Sequence, residues 1–157
     1  MRAEQCSWVT SMASGLVGAV ALTALHEGTR RVATHPPRMD LLGRRAIKKS
    51  LDATGQDTRP RAELQRWALL GDIVANTMYY ASIGRGAGRA KWGRALVLGA
   101  AAGVGAMALP PLIGLGRAPN SQYTSTHLMT LGLYLTGALA SAAAASYMNP
   151  PRRAAAA

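Results

Sequence analysis

The sequence predicts an all-α integral membrane protein, a four-helix bundle with a basic amphipathic helix in its first loop. Three observations predict it. Residues 7–25 and 95–116 contain no charged side chain, and residues 118–151 carry only the possible charge of His127. Each run can cross a hydrocarbon core of about 30 Å, which takes roughly 20 residues at about 1.5 Å per residue. The second observation is the placement of charge: 18 Lys and Arg against 7 Asp and Glu, a net charge of +11, gathered mostly beside and between those runs. A mean hydropathy of +0.06 is therefore an average over a two-part chain. Thirdly, the apolar residues are largely Ala, Leu, Gly and Val, with no Phe, and small residues let helix backbones approach closely in lipid.

The 157 residues read as a single membrane domain, 1–157. The first helix is expected over about 7–33, anchored by Trp8 at one interface and by Arg30 and Arg31 at the other, with Pro36 and Pro37 stopping it near His35. An Ala19-Val20-Ala21 pattern lies within the apolar run and further runs follow, so the segment reads as a helix rather than a cleaved leader. Lone Cys6 has no intrachain disulfide partner and follows Glu4 and Gln5, so it suggests no redox chemistry.

An amphipathic interfacial helix is expected over about 40–53, with Asp40 as N-cap and Gly55 as stop. Met39, Leu42, Ala46, Ile47 and Leu51 recur at helical spacing, while Arg44, Arg45, Lys48 and Lys49 fall largely on other faces. These four are the candidate ligands for anionic lipid headgroups. A solvated helix packed on the rest of the protein is the alternative.

Pro60 and Glu63 open the next helix, about 61–83, apolar from Trp67 onward apart from Asp72 and Asn76. A flexible basic connector (84–93) follows. The third span, about 95–116, carries Gly99 and Gly103 at the spacing of a close helix contact, then Pro110-Pro111, which should break or kink it. A polar turn precedes the last helix, about 126–148, which Asn149, Pro150 and Pro151 end; a frayed basic tail is expected beyond.

Ten of the eighteen Lys and Arg lie between the first two spans, which places that loop on the cytoplasmic side. With four spans, both termini and the basic connector face outward. A re-entrant Asp72 helix would instead bring the connector inside.

Asp72 is the most informative residue, because an aspartate at membrane depth costs about 2.5 to 3.5 kcal/mol. Asn76 lies one turn on and Tyr79 and Tyr80 another, a polar stripe that should face the bundle. It reads as a proton relay, ion site or ligand contact, or as a structural pair with an Arg, Thr or His of a neighbouring helix. His26 and Glu27 sit where the first helix leaves the membrane, and Glu27 can pair with Arg31 at i, i+4. His127 opens the last helix, with Thr130 and Tyr134 along the same face. His26, Glu27, Asp72 and His127 would be the ligand set for a transition metal, but no H-E-x-x-H, cysteine pair or His-rich tract supports one. The glycines at 84, 86 and 88 follow no strand, so they make no phosphate-cradling loop. Neither a nucleophile elbow nor a catalytic carboxylate pair is present, enzyme is the weakest class, and any cofactor stays unspecified.

The run His26-Glu27, Arg30-Arg31, residues 37–43 (PRMDLLG), Gly71-Asp72, Asn76 and Tyr79-Tyr80 resembles small four-helix bacterial inner-membrane proteins of uncharacterised function. The resemblance implies a multi-pass location in that membrane and no particular activity. Two functions are expected: a subunit or scaffold that associates with itself or a membrane protein partner through Gly and Ala faces, or a small transporter or channel centred on Asp72. Basic charge beside hydrophobic runs points to anionic lipid rather than nucleic acid as the partner.

Overall fold

A computed structural model describes residues 2–57, 59–85 and 90–149, with side chains from residue 8 onward. The side chain of Cys6, connector residues 86–89 and the tail from Pro150 lie outside the described residues. The described residues form five helices: α1 (Arg2–Val32), α2 (Met39–Ala53), α3 (Arg61–Gly84), α4 (Ala90–Leu112) and α5 (Thr124–Met148). Three stretches are long and apolar enough to cross a membrane: Trp8–Val32, Ala90–Leu112 and Thr124–Met148. Helix α3 has the length, at 24 residues, but Asp72, Asn76 and the charged first turns dilute its apolarity.

The ends of the helices differ from the sequence expectation where no breaker marks them. α1 begins at Arg2 rather than near residue 7, since Ala3, Glu4 and Gln5 all sustain a helix. α4 begins at Ala90 rather than near 95 and ends at Leu112 rather than 116. Pro110 and Pro111 sit in its last turn, and Gly114 at φ +76° reverses the chain. The Leu115 amide then donates to the Pro110 carbonyl (2.8 Å) and Gly114 to Pro111 (3.3 Å), a Schellman end. α2 ends the same way: Gly55 takes φ +68°, and Gln56 and Gly55 donate to Leu51 and Asp52. At the start of α2 the expectation fails. Arg38 is the capping residue and makes no side-chain cap, while Asp40 lies inside the first turn with its carboxylate taken by Arg38.

Helix α1 packs on α3 and α5, α4 packs on α5 and less closely on α3, and α2 packs on α3. The direction of each helix follows from its contacts. Gly15 of α1 abuts Ala81 and Gly84 of α3 abuts Ser11 and Ser14, so α1 and α3 are antiparallel. Gly18 meets Ser141, Leu22 meets Gly137, Gly99 meets Ala138 and Gly103 meets Leu131; α1 and α4 therefore both run against α5 and parallel to each other. One end of the bundle gathers α2, the α4–α5 turn and the start of α3; the far end gathers the start of α1, the end of α3 and the start of α4.

The core is made of small side chains around a few large ones. Leu22, Tyr80, Ile83, Ala95, Leu133, Ala138 and Ala142 form one buried cluster, with Leu98, Tyr134 and Leu139 against it. Alanine and glycine at the crossings let backbones meet, so dispersion between close-packed helices helps hold the bundle together.

Candidate functional site

Asp72 lies half-buried on the face of α3 turned to α1. Asn76, one turn on and buried, donates from Nδ2 to Asp72 Oδ1 (2.9 Å) and to the Asp72 carbonyl (2.9 Å). Thr23 of α1 donates to the other carboxylate oxygen, Oδ2 (3.4 Å). His26, one turn beyond Thr23, lies within electrostatic reach of the carboxylate. Its Nε2 is 3.2 Å from the Pro37 carbonyl oxygen, which requires the proton on that nitrogen. The carboxylate is thus held between α1 and α3 by one neutral donor from each helix, with an imidazole nearby.

The other members of the expected polar stripe part from Asp72. Tyr80 is fully buried and its hydroxyl donates across the bundle to the Tyr134 carbonyl of α5 (3.0 Å), while Ser141 of α5 donates back to the Tyr80 carbonyl (3.2 Å). Tyr79 points elsewhere and donates to the Leu98 carbonyl of α4 (3.0 Å). Adjacent residues on a helix project about 100° apart, so two neighbouring tyrosines tie α3 to two different helices.

His127 is exposed, and the inward face of α5 is carried instead by Thr126 and Thr130. Thr126 donates to the His35 carbonyl (2.8 Å), which lies beyond the end of α1. Among the described residues no three His, Cys, Asp or Glu side chains gather as a metal would need, so His26, Glu27, Asp72 and His127 form no such set.

Glu27 at the end of α1 bridges two arginines, at 2.6 Å to Arg30 and 3.2 Å to Arg31. All three are solvent-facing enough that such contacts contribute little to stability. Asp40 is better enclosed. Burial alone would raise its pKa, but the bidentate hydrogen bonds from Arg38 and the charges of Arg38, Arg30 and Arg44 outweigh it and hold the carboxyl below its ordinary value.

The four basic residues of α2 do not share one free face. Arg44 turns back to Asp40 (3.9 Å) and its side chain is largely enclosed. Arg45 donates to the carbonyls of Leu115 (3.1 Å) and Arg117 (2.9 Å), and Lys49 to that of Ile113 (2.6 Å). Lys48 alone of the four is exposed without such a contact among the described residues. The physical reason is local: Ile113, Leu115 and Arg117 lie in the turn after α4, where no helix ladder satisfies their carbonyls, and two cations of α2 lie beside them. Asn120, at φ +67°, donates to the Pro36 carbonyl (3.1 Å), and the His35 and Tyr123 rings stack at 3.7 Å, so the two loops at this end are joined at several points.

Gly99 and Gly103 both face α5. A Cβ on Gly99 would lie 2.9 Å from the Ala138 Cβ, and one on Gly103 would lie 3.0 Å from the Leu131 Cα. Sequence reasoning missed Gly15 and Gly18, which make closer crossings, and Gly137, which makes one as close, without a GxxxG pattern to mark them. It also missed Thr23, which spacing to His26 on α1 would have brought into view, and Lys91, which is 5% exposed and donates to the Ala145 carbonyl at 3.4 Å. No known protein family, curated protein or solved structure matches the chain.

Proposed function

We propose that this chain is a non-enzymatic multi-pass membrane subunit or scaffold, a bundle of four crossings whose polar groups set helix register. What supports the reading is where those groups direct their hydrogen bonds. Asp72 is matched by Asn76 and Thr23, and Tyr79, Tyr80, Ser141 and Thr126 each donate to a backbone carbonyl of a different element. Groups committed in this way tie helices together rather than converge on a shared ligand position.

The fourth crossing is supported by the path of the chain. α1 and α4 run parallel, so between Val32 and Ala90 the chain must return from the α2 end to the far end, and α3 is the segment that does so. At 24 residues α3 reaches about 36 Å. Its single aspartate faces protein, where a polar group at depth is tolerated. Arg117 adds to the ten Lys and Arg between the apolar run of residues 7–25 and the apolar part of α3, so the α2 end carries the stronger cytoplasmic bias. The location proposed with this reading is a bacterial inner membrane.

A second reading, proton handling at Asp72, is favoured by one observation: Thr23, which donates to the Asp72 carboxylate, lies one turn from His26 on α1. Asp72→Asn separates the two. An amide can accept from only one of the two donors that the carboxylate now satisfies, so the scaffold reading expects a lower melting temperature in detergent, equivalent to about 0.5–1.5 kcal/mol, and weaker assembly. Intact-complex mass spectrometry after mild extraction reads the assembly. A variant that keeps its melting temperature and stoichiometry but loses proton flux in dye-loaded vesicles would overturn the scaffold reading in favour of the relay.

A further inference from the structure

At the far end of the bundle an open-sided groove of about 630 Å³ runs between the last turn of α3 and the first turns of α4, lined by Ser82, Arg85, Gly93, Arg94, Val97 and Leu98. Among the described residues its lining includes two arginines and no acidic residue. The Arg85 guanidinium lies 4.8 Å above the Trp8 ring, a cation–π seat that steadies the charge and leaves the N–H groups unspent. Among the described residues neither Arg85 nor Arg94 joins a salt bridge.

Gly93 adds an independent observation. A Cβ built there meets nothing within 4 Å, and its φ is not in the left-handed region, so neither packing nor backbone conformation requires glycine. Glycine weakens a helix relative to alanine, yet here its effect is to keep the groove open beside the two arginines.

From the arginines the groove continues along α4 onto Val97, 68% exposed, and Leu98. Trp8 and Trp92, 55% and 42% exposed, mark the same end of the bundle as the level of a membrane interface. A free anion would fill the charged part and leave the apolar wall bare. An amphiphile covers both.

We propose that this groove binds one anionic phospholipid, with its phosphate between Arg85 and Arg94 and an acyl chain against Val97 and Leu98. Planar guanidinium groups take phosphate oxygens in pairs, which suits the two arginines better than a diffuse surface attraction would. On α2, Arg45 and Lys49 donate to protein carbonyls and Arg44 turns to Asp40, which leaves Lys48 without an arginine or lysine partner to share one phosphate. The inference rests on the reading that the bundle crosses a bilayer.

The test uses the full chain recovered from washed membranes and native mass spectrometry in detergent, with phosphatidylglycerol, phosphatidylcholine and inorganic phosphate as probes. Wild type is expected to retain one phosphatidylglycerol in preference to phosphatidylcholine. R85Q/R94Q should bind it roughly twenty-five-fold more weakly, about fivefold for each arginine. Gly93→Leu should abolish binding with both charges intact, by filling the groove; it covers the case in which the charge variant fails to fold, which circular dichroism reports. Lys48→Gln, on α2 at the other end, should bind as wild type. Equal retention of the two lipids, undiminished phosphatidylglycerol in both groove variants, or its displacement by inorganic phosphate would each overturn the proposal. A chain absent from washed membranes would sink the membrane reading as well, whereas an embedded chain without lipid preference overturns this inference alone.

Discussion

Gly18 of α1 lies against Gly137 of α5 backbone to backbone: a Cβ on Gly18 would stand 2.6 Å from the Gly137 carbonyl oxygen, and one on Gly137 would stand 3.1 Å from the Gly18 carbonyl oxygen. The neighbours are main-chain atoms, so a methyl group has nowhere to go unless a helix moves. Gly18→Ala is expected to destabilise the bundle by about 1–3 kcal/mol, the usual cost of overpacking. Gly132→Ala on the same helix as Gly137 meets nothing within 4 Å and should be neutral or slightly stabilising through helix propensity. Thermal unfolding of both variants in one detergent checks the pair, and equal melting temperatures would refute this account of the crossing.

Arg45 and Lys49 hold the turn after α4 through three carbonyl oxygens, while Lys48 between them in sequence holds nothing there. R45Q/K49Q should loosen residues 113–117, with faster amide exchange in that turn and a modest stability loss of about 0.5–1.5 kcal/mol, kept small because both cations are solvent-screened. Lys48→Gln should leave exchange unchanged. Equal protection in all three proteins would mean that the Schellman end of α4 is sufficient by itself.

Asp40 gives the α1–α2 corner an acid sensitivity whose sign follows from its environment. Its carboxyl is held below the ordinary 3.8. The charged form is therefore favoured by folding, and the stability it contributes is present above pH 3.8 and lost as pH falls through the lower folded value. Asp40→Asn should lower stability at neutral pH and flatten the pH dependence in the acid range. Melting temperatures of the two proteins between pH 3 and 7 should converge as the medium becomes acidic; parallel curves would show that Arg38 and Asp40 do not share this linkage.

Much of the architecture was legible in the chain. Charge-free runs at residues 7–25, 95–116 and 118–151 announce apolar helices, and their counterparts in the structure are the three that can cross a membrane. The ends were less legible. Nothing among residues 2–6 or 90–94 breaks a helix, so those starts move earlier, and Asp40 reads as a cap although Arg38 claims its carboxylate before the backbone can.

The candidate site divides along the same line. Asp72 and Asn76 are one turn apart on one helix, and their hydrogen bond follows from helical geometry alone. Thr23, 49 positions away, enters only because α1 and α3 run antiparallel in a particular register. His127 was expected to share a face with Thr130 and Tyr134, yet the rotation of α5 turns Thr126 and Thr130 inward and leaves His127 outside.

By itself, then, the sequence determined that this protein is helical, that three of its segments suit a membrane, and that ten of its eighteen Lys and Arg lie between the apolar run of residues 7–25 and the apolar part of α3. Periodicity, length and charge are properties of a segment and need no partner. Only the tertiary structure decided which faces meet: that glycines outside any GxxxG pattern make the closest crossings, that Tyr79 and Tyr80 bind different helices, and that two arginines flank an open groove at Gly93. The physical reason is that a helix's rotation and register are set by the surface it packs against, and that surface belongs to another part of the chain.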